Sequence, residues 1–469
     1  MDLITIFEVI LKYGLLALAI IIVLALIYAI GFLIYKKVFH GTKKLSRKQW
    51  IVLILILGWY LLVLGLTTIS RPASYTGSIN LSLFSGYMNA WNKWSYTELQ
   101  LIIFNMLMFV PLGFLLPLLL KKGEKFSFTC GISLLTTLSI EMIQLITGKG
   151  IFELDDLLHN LIGSIFGYFL IMFILDIIRN KKIKLKSTVK LLSIPIIYII
   201  LITTALVVYN NQKYGNLDFI PAKKQDMSII TIENKISLND KTKKVSIYRN
   251  KYTNNLDRAK KNSEMVEDLA QIKFNKIIRT DGNNKVFETN KNDQLTYFMD
   301  KGIWSYTNWK EYSELSKEDL ENNKLKIEKW LEKYHLLPNN AIFSIQNNNM
   351  IRWDLEEKSI LNNKSDFASG LIMAQFTKNN EISNLDYNVI YHKYVRQEEI
   401  ISVKEAYNNI LSGNFEQYIS FNKGDKLYLK SCTLDYVYDS KGYYRPVYIF
   451  NGYINDQNNL WECKISALK

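Results

Sequence analysis

Hydrophobic residues dominate the chain up to about residue 209, and polar residues dominate it from there on. Leu, Ile, Val and Phe prevail in the first part, whereas Lys, Asn, Asp, Glu, Tyr and Ser prevail in the second. Six segments of the first part approach the roughly 20 apolar residues that a helix needs to cross a bilayer. They are residues 14–35, 50–69, 99–120, 126–147, 157–178 and 189–209. The pattern predicts an α-helical polytopic membrane domain with six transmembrane helices over residues 1–209.

The second part, residues 210–469, alternates short runs of period two with amphipathic helical segments. Helices are predicted at 316–335, where Ser316 is a suitable N-cap, and at 402–413. The predicted strands are residues 229–233, 244–249, 285–289, 294–299, 426–439 and 444–454. This pattern predicts an α+β domain that is long enough to bury its own core. A second lobe within it is expected at 388–469.

The net charge of +14 raises the question of nucleic-acid binding, but the distribution of the basic residues argues against it. Much of the excess lies in three clusters beside apolar segments: Lys36, Lys37, Lys43, Lys44, Arg47 and Lys48; Lys121, Lys122 and Lys125; Arg179, Lys181, Lys182, Lys184 and Lys186. Such clusters mark the cytoplasmic ends of spans and contact anionic lipid headgroups. No nucleic-acid partner is therefore expected.

With all three clusters in the cytoplasm, the spans alternate so that the N-terminus and residues 210–469 lie outside the cell membrane. The alternative for residues 14–35 is a cleaved signal peptide, but the segment lacks a basic leader and its apolar run is long, so a retained span is favoured. The Lys, Asn and Ile bias is typical of a low-GC bacterium. An outside domain tethered to the membrane fits a Gram-positive envelope.

Polar residues interrupt the apolar segments between residues 99 and 169. A carboxylate such as Glu141 is costly inside hydrocarbon unless it faces a partner or water, so it marks a candidate functional site. Helical spacing places Glu141 and Gln144 on one face, and Asp156 and Asn160 on one face of a later helix. We predict a polar binding pocket open to the outer leaflet, formed by Arg71, Asn105, Glu141, Gln144, Asp155, Asp156 and Asn160.

Each part of this pocket has a purely structural alternative. Glu141 would then form a packing contact, hydrogen-bonded to Asn105 or Gln144, without a chemical role. Asp155 and Asp156 would satisfy free backbone N–H groups at a helix start. Pro111 and Pro117, which favour a kink that opens a cavity, would simply be tolerated in a membrane helix.

The type, order and spacing of these residues resemble the VanZ-like family of membrane proteins, with a core at residues 50–178. The matching positions are Asn105, Pro111, Gly113, Pro117, Glu141, Gln144, Asp155, Asp156, Asn160, Gly163 and Gly167. In many such proteins an Arg comes three residues before the first acid of the final motif. Gly150 stands there instead, beside Lys149, which puts in doubt any role that needs bidentate binding of phosphate. The resemblance implies reduced susceptibility to glycopeptide antibiotics, chiefly teicoplanin.

The last 80 or so residues are similar to the PepSY-like lobes of YycH and YycI-type extracytoplasmic regulators. The similarity rests on the helix at 402–413 and the hairpin that carries Arg445, Pro446 and Val447. It implies a binding or regulatory module. Cys432 and Cys463 fall in neighbouring predicted strands, and we expect them within bridging distance; two free buried thiols are the alternative.

The first functional hypothesis is a non-enzymatic membrane protein that recognises a membrane lipid or lipid-linked cell-wall precursor, while its outside domain engages another envelope protein. The second is a membrane enzyme that uses Glu141 with Asp155 or Asp156 on a phospholipid or polyprenyl substrate. The third is an envelope-stress sensor. No metal or cofactor is expected, since His159 has no second His or Cys nearby in the sequence.

Overall fold

A computed structural model describes residues 46–69, 79–276, 278–346, 349–355, 361–417 and 421–469 of the chain. The chain divides into two compact units, Met1–Gln212 and Lys213–Lys469. The predicted span at 14–35 and the predicted site residue Arg71 lie outside the described residues.

Five helices among the described residues are long and apolar enough to cross a membrane. They are α1 (Arg47–Leu64, continued by a π-helical turn at Gly65–Ile69), α3 (Tyr96–Leu119), α4 (Phe126–Thr147), α5 (Leu154–Asn180) and α6 (Leu185–Asn211); a short helix, α2 (Ser85–Asn92), precedes α3. These five match five of the six predicted spans, and the sixth lies outside the described residues. The unit is a multi-pass helical membrane domain.

Small residues bring the backbones of α3 and α5 into contact. A Cβ atom added to Gly163 would lie 1.8 Å from the carbonyl oxygen of Met106, and one added to Gly113 would lie 1.8 Å from that of Ser164. Helix α3 continues through both Pro111 and Pro117. Close backbone approach at small residues is a common mode of helix association in membranes, where the hydrophobic effect does not drive helices together.

The second unit is built on a sheet of 13 strands among the described residues. Its strands are β3 (Thr231–Asn234), β4 (Lys243–Asn250), β5 (Arg279–Asp281), β6 (Asn284–Glu288), β7 (Gln294–Phe298), β8 (Ile303–Thr307), β9 (Ala341–Gln346), β10 (Met350–Leu355), β11 (Phe367–Phe376), β12 (Ile382–Ile400), β13 (Lys426–Tyr438), β14 (Tyr443–Ile454) and β15 (Leu460–Ser466). The path β3-β13-β14-β4-β12-β8-β7-β6-β5 runs through the sheet, β15 pairs with β14, and β11 pairs with β12 and continues to β10 and β9.

Three helices cover this sheet: α7 (Leu256–Ala270), α8 (Lys317–Lys333) and α9 (Val403–Leu411). Ser316 caps α8 as predicted, because its side chain accepts from the N–H of Asp319. At the start of α9, Ser402 and Glu405 form a reciprocal capping box. One hydrophobic core gathers around Trp304 and Trp353, and another around Phe415 and Phe450. Residue 388, where the second lobe was expected to begin, lies within strand β12.

The expectation that Cys432 and Cys463 lie within bridging distance is wrong. Cys432 pairs with Phe450 on one side of strand β14, and Cys463 pairs with the same Phe450 on the other side. Neighbouring strands lie about 4.8 Å apart, so two strand spacings separate the cysteine Cα atoms by roughly 10 Å. A disulfide needs less than about 7 Å. Both thiols are free, and burial raises the pKa of Cys432 to about 11.

A buried ion pair fixes the first residues of the second unit on its sheet. The Asp439 carboxylate lies 3.6 Å from the Arg445 guanidinium and accepts a hydrogen bond from the N–H of Gly215 at 2.7 Å, while Arg445 donates to the Gly215 carbonyl. Burial raises the pKa of Asp439 above its usual range. Because a Cβ atom at residue 215 would lie 2.4 Å from the backbone nitrogen of Lys441, this tight join requires glycine.

Candidate functional site

A two-stranded parallel sheet joins the segment before α2 to the segment between α4 and α5. Strand β1 (Ile79–Asn80) pairs with β2 (Phe152–Glu153), although the strands lie more than 70 positions apart in the chain. The Asn80 amide also donates to the Glu153 carboxylate at 3.2 Å. This sheet sets the start of α5, and therefore the position of Asp155 and Asp156.

Asp155 binds the start of helix α2 from across the fold. Its carboxylate accepts hydrogen bonds from the backbone N–H groups of Phe84 at 2.5 Å and Gly86 at 2.7 Å, and from the hydroxyl of Ser85 at 3.1 Å. The first N–H groups of a helix lack partners within the helix, and the positive end of its dipole favours an anion. Asp155 therefore satisfies free backbone N–H groups at a helix start, as in the structural alternative given above. The helix is α2, however, and not α5, which carries Asp155.

Asp156 and Asn105 connect helices α5 and α3. The Asn105 side-chain amide donates to Oδ1 of Asp156 at 2.5 Å. The same oxygen lies 4.0 Å from Nδ1 of His159, one helical turn further along α5. The contact therefore brings together two predicted site residues from different spans and a third residue, His159, that the prediction had left out.

Glu141 and Gln144 hold the segments that flank the site. Oε2 of Glu141 accepts from the backbone N–H of Glu153 at 3.3 Å, and the Gln144 amide donates to the carbonyl of Thr67 at 3.2 Å. Both side chains are buried, with 2% of Glu141 exposed. This contact of Glu141 is made with the backbone of strand β2, not with the side chains that we named in the packing alternative.

Two adjacent residues of α5 have buried polar atoms without a hydrogen-bond partner among the described residues. Neither ring nitrogen of His159 is hydrogen-bonded, although only 2% of the residue is exposed. Asn160 donates to the Thr137 hydroxyl at 2.8 Å, but its Oδ1 has no partner. A buried polar atom that lacks a hydrogen bond is costly, so these atoms mark a place where a ligand group can bind.

We use the name polar cluster for the set Asn105, Glu141, Gln144, Asp155, Asp156, His159 and Asn160. Six of these are predicted site residues, and the contacts above tie them to the start of α5 and the neighbouring loops. Sequence reasoning left His159 out of the predicted site; its only signal was its position four residues after Asp155 on the same helix face. Within the part of the chain that the structure describes, no group of three or more His, Cys, Asp or Glu side chains could hold a metal ion.

An apolar cavity of about 420 Å³ lies between α2, the start of α3 and α6. Its aromatic lining comprises Tyr87, Trp91, Trp94, Tyr96 and Tyr198, and its aliphatic lining includes Leu201, Ile202 and Leu206. The hydroxyls of Tyr87 and Tyr198 are hydrogen-bonded at 2.7 Å, and Trp94 stacks on Tyr209 with ring centroids 3.4 Å apart. We call this space the aromatic cavity.

Tyr87 connects the aromatic cavity to the polar cluster. Its ring lines the cavity and also meets the ring of His159 edge-on, with centroids 5.1 Å apart. The adjacent Gly86 donates to Asp155, as described above. One end of the apolar space therefore abuts buried polar groups, an arrangement that suits an amphipathic ligand.

Residues 50–175 match the family model described as VanZ/LLP1. Because of this similarity, we call the segment the VanZ-like domain. The match covers most of α1, all of α2, α3 and α4, and most of α5. It therefore includes six members of the polar cluster that the resemblance had placed in the family core, together with His159. Helix α6, which lines the other side of the aromatic cavity, lies beyond the matched segment. No curated protein matches the chain.

Two solved structures resemble the chain over about half its length. One is an uncharacterized protein from Eubacterium rectale ATCC 33656, with 13% identity, a TM-score of 0.22, and coverage of 50% of this chain and 87% of that chain. The other is the Bacillus megaterium YpeB C-terminal domain, with 10% identity, a TM-score of 0.19, and coverage of 44% of this chain and 91% of that chain. With TM-scores this low, neither similarity supports a conclusion about function.

Proposed function

We propose that the VanZ-like domain binds a lipid or a lipid-linked envelope component at the outer leaflet. The observation that carries the proposal is the aromatic cavity beside the polar cluster. A volume of about 420 Å³ is within the usual range for small-molecule sites, roughly 300–1,000 Å³. Each buried methylene of a lipid chain would contribute about 0.8 kcal/mol of binding free energy, and the polar cluster would select the headgroup.

The aromatic residues of the cavity also support a position at a membrane interface. Trp91, Trp94 and Tyr96 lie within six residues of the chain, between the end of α2 and the start of α3. Trp and Tyr concentrate at the level of lipid headgroups, where an apolar ring and a polar N–H or O–H group are both accommodated. A ligand in this cavity would therefore lie with its headgroup near the membrane surface.

This function links the domain to teicoplanin. Teicoplanin carries a lipid tail and acts at the outer face of the membrane, where a protein that binds lipid or lipid-linked precursors would compete with it. The protein would thereby reduce teicoplanin susceptibility. The second unit would engage another envelope protein, or report to a signalling partner as a sensor.

The contacts of Asp155 weigh against the enzyme alternative. Three hydrogen bonds hold its carboxylate at the start of α2, so it is poorly placed to exchange a proton with a substrate. An enzyme would have to use Glu141 with Asp156. Binding is therefore the function that we favour, and the Glu141 substitutions in the Discussion distinguish the two.

Filling the aromatic cavity tests the proposal. Ala205 lines the cavity on α6, so Ala205→Trp should occupy part of the space and lower lipid binding at least about tenfold, a loss of roughly 1.4 kcal/mol. Val207→Trp is the matched control, because Val207 lies on the same helix, is 53% exposed and does not line the cavity. Native mass spectrometry of the full-length protein with added phospholipids measures the binding. Equal binding by both variants and the wild type would contradict the proposal.

We also propose that the basic clusters are cytoplasmic and the second unit is outside the cell. A single Cys at Ser46 or Lys182, in a background that lacks the three native cysteines, should resist a membrane-impermeant maleimide on intact cells. A Cys at Ser82 or Ser313 should be labelled. Labelling at Ser46 together with protection at Ser313 would invert the topology.

A further inference from the structure

We propose that His159 and Asp156 together bind a hydroxyl group in the headgroup of the lipid. This inference rests on the proposed function and names the ligand chemistry that the polar cluster selects. It starts from an observation that the proposed function leaves unexplained, namely a buried imidazole with two nitrogens that lack hydrogen bonds to any described residue.

No residue that the structure describes forms a hydrogen bond with the ring nitrogens of His159. The nearby Tyr87 offers a ring edge rather than a hydroxyl, because the Tyr87 hydroxyl is already hydrogen-bonded to Tyr198. The N–H of Gly86 is likewise committed, because it donates to Oδ2 of Asp155 at 2.7 Å. An imidazole that is 2% exposed and has no partner is expected to acquire one from a ligand.

The separation between His159 and Asp156 indicates what that ligand group must do. Nδ1 of His159 and Oδ1 of Asp156 are 4.0 Å apart, which is too long for a hydrogen bond between them. A single atom placed between the two can form a hydrogen bond of normal length to each. Toward the carboxylate the atom must donate, and toward an imidazole N–H it must accept.

A hydroxyl oxygen meets both requirements, since it donates one hydrogen bond and accepts others. An ionised phosphate oxygen only accepts, and it would be repelled by the Asp156 carboxylate. An ammonium group only donates, so it could use Asp156 but not an imidazole N–H. The pair therefore favours a headgroup that carries a hydroxyl, such as a glycerol, over a bare phosphate or an amine.

The location fits this role, because the imidazole adjoins the aromatic cavity. The ring of Tyr87 contacts both the cavity and His159. A lipid whose chain occupies the cavity would bring the polar end of the molecule toward α5. Oδ1 of the adjacent Asn160 is also buried and has no hydrogen-bond partner among the described residues.

The test compares three lipids with the same acyl chains on the full-length protein, by native mass spectrometry. The lipids are dioleoylphosphatidylglycerol, which has headgroup hydroxyls, dioleoylphosphatidic acid, which has a bare phosphate, and dioleoylphosphatidylethanolamine, which has an amine. The wild type should prefer phosphatidylglycerol to each of the others about tenfold, the effect of one or two hydrogen bonds. His159→Phe keeps an aromatic ring against Tyr87 and should lose this preference while it still binds all three lipids.

Two further variants complete the design. His159→Gln keeps a donor and an acceptor and should retain part of the preference for phosphatidylglycerol. It replaces His159→Phe in the test if that variant does not fold. His335→Asn removes an exposed histidine of the second unit and should leave the preference intact. A wild type that prefers phosphatidic acid or phosphatidylethanolamine overturns the inference, and so does a His159→Phe protein that retains the preference for phosphatidylglycerol.

The Ala205 and His159 variants together distinguish a failure of headgroup selection by His159 from a failure of lipid binding in the aromatic cavity. If Ala205→Trp weakens the binding of all three lipids but the His159 variants behave like the wild type, the cavity binds lipid and His159 does not select the headgroup. If the Ala205→Trp and Val207→Trp proteins both bind lipid as the wild type does, lipid binding in the cavity is itself wrong.

Discussion

Replacing Glu141 by Leu should abolish the teicoplanin resistance that we propose for this protein, whereas Glu141→Gln should reduce it only in part. The side chain is buried and accepts a hydrogen bond from the N–H of Glu153. Gln can still accept that bond, but Leu would leave a partly buried backbone N–H without it, at a cost of about 1–3 kcal/mol. The start of α5, with Asp155, Asp156 and His159, would then lose part of its support.

The comparison of the two substitutions also separates binding from catalysis. If Glu141 acts as an acid or base, Gln cannot exchange a proton, and both variants should lose on the order of 10²-fold or more in activity. The measurement is teicoplanin susceptibility of a strain that lacks the chromosomal copy and expresses each variant, with membrane levels checked by immunoblot.

A control removes a carboxylate from a more exposed place. Glu98 is partly exposed and pairs with Lys93 at 3.4 Å, and surface pairs of this kind contribute about 0–1 kcal/mol, so Glu98→Gln should behave like the wild type. If the two Glu141 variants are well expressed and confer resistance equal to the wild type, Glu141 is not part of the functional site and has only a packing role.

Replacing Gly163 by Ala should destabilise the membrane domain by about 3 kcal/mol, the upper part of the usual range for overpacking. The new Cβ atom would lie 1.8 Å from the carbonyl oxygen of Met106, so the backbones of α3 and α5 must move apart. This contact is one residue from Asn105, and the shift would lengthen its hydrogen bond to Asp156. Lipid binding should therefore fall together with stability.

Gly131 provides a matched control for this prediction. It also lies within a membrane helix, α4, but a Cβ atom there meets nothing within 4 Å. Gly131→Ala should leave stability unchanged or raise it by about 1 kcal/mol, because Ala is the better helix former. Thermal unfolding and size-exclusion chromatography of the purified full-length variants measure the difference. Equal stability of the two variants would mean that the close contact of α3 and α5 is not required.

Most elements of the chain could be predicted from local patterns. Apolar stretches of sufficient length predict helices that span a membrane, and five of the six expected spans correspond to α1 and α3–α6. The alternating pattern predicted strands such as β4 and β7, and Ser316 and Ser402 mark helix starts. These features depend on residues within a few positions of one another, so they can be recognised without the rest of the fold.

The sequence alone also showed which polar residues would be costly in the membrane domain. These residues make up most of the polar cluster. Glu141 and Asp156 stand out because a carboxylate in an apolar segment requires a partner. What each carboxylate binds was decided by tertiary structure. Asp155 binds the start of α2, about 70 positions away, because strands β1 and β2 pair and place the two loops together.

Tertiary structure also decided the distances that local patterns cannot give. Cys432 and Cys463 lie in the same sheet as expected, but strand β14 lies between their strands and keeps them apart. His159 looked like an isolated histidine in the sequence, and only its burial beside Asp156 and Tyr87 indicates the binding role that we propose for it. Helical and strand periodicity describes which face a residue occupies, whereas the partner on that face depends on how distant segments pack.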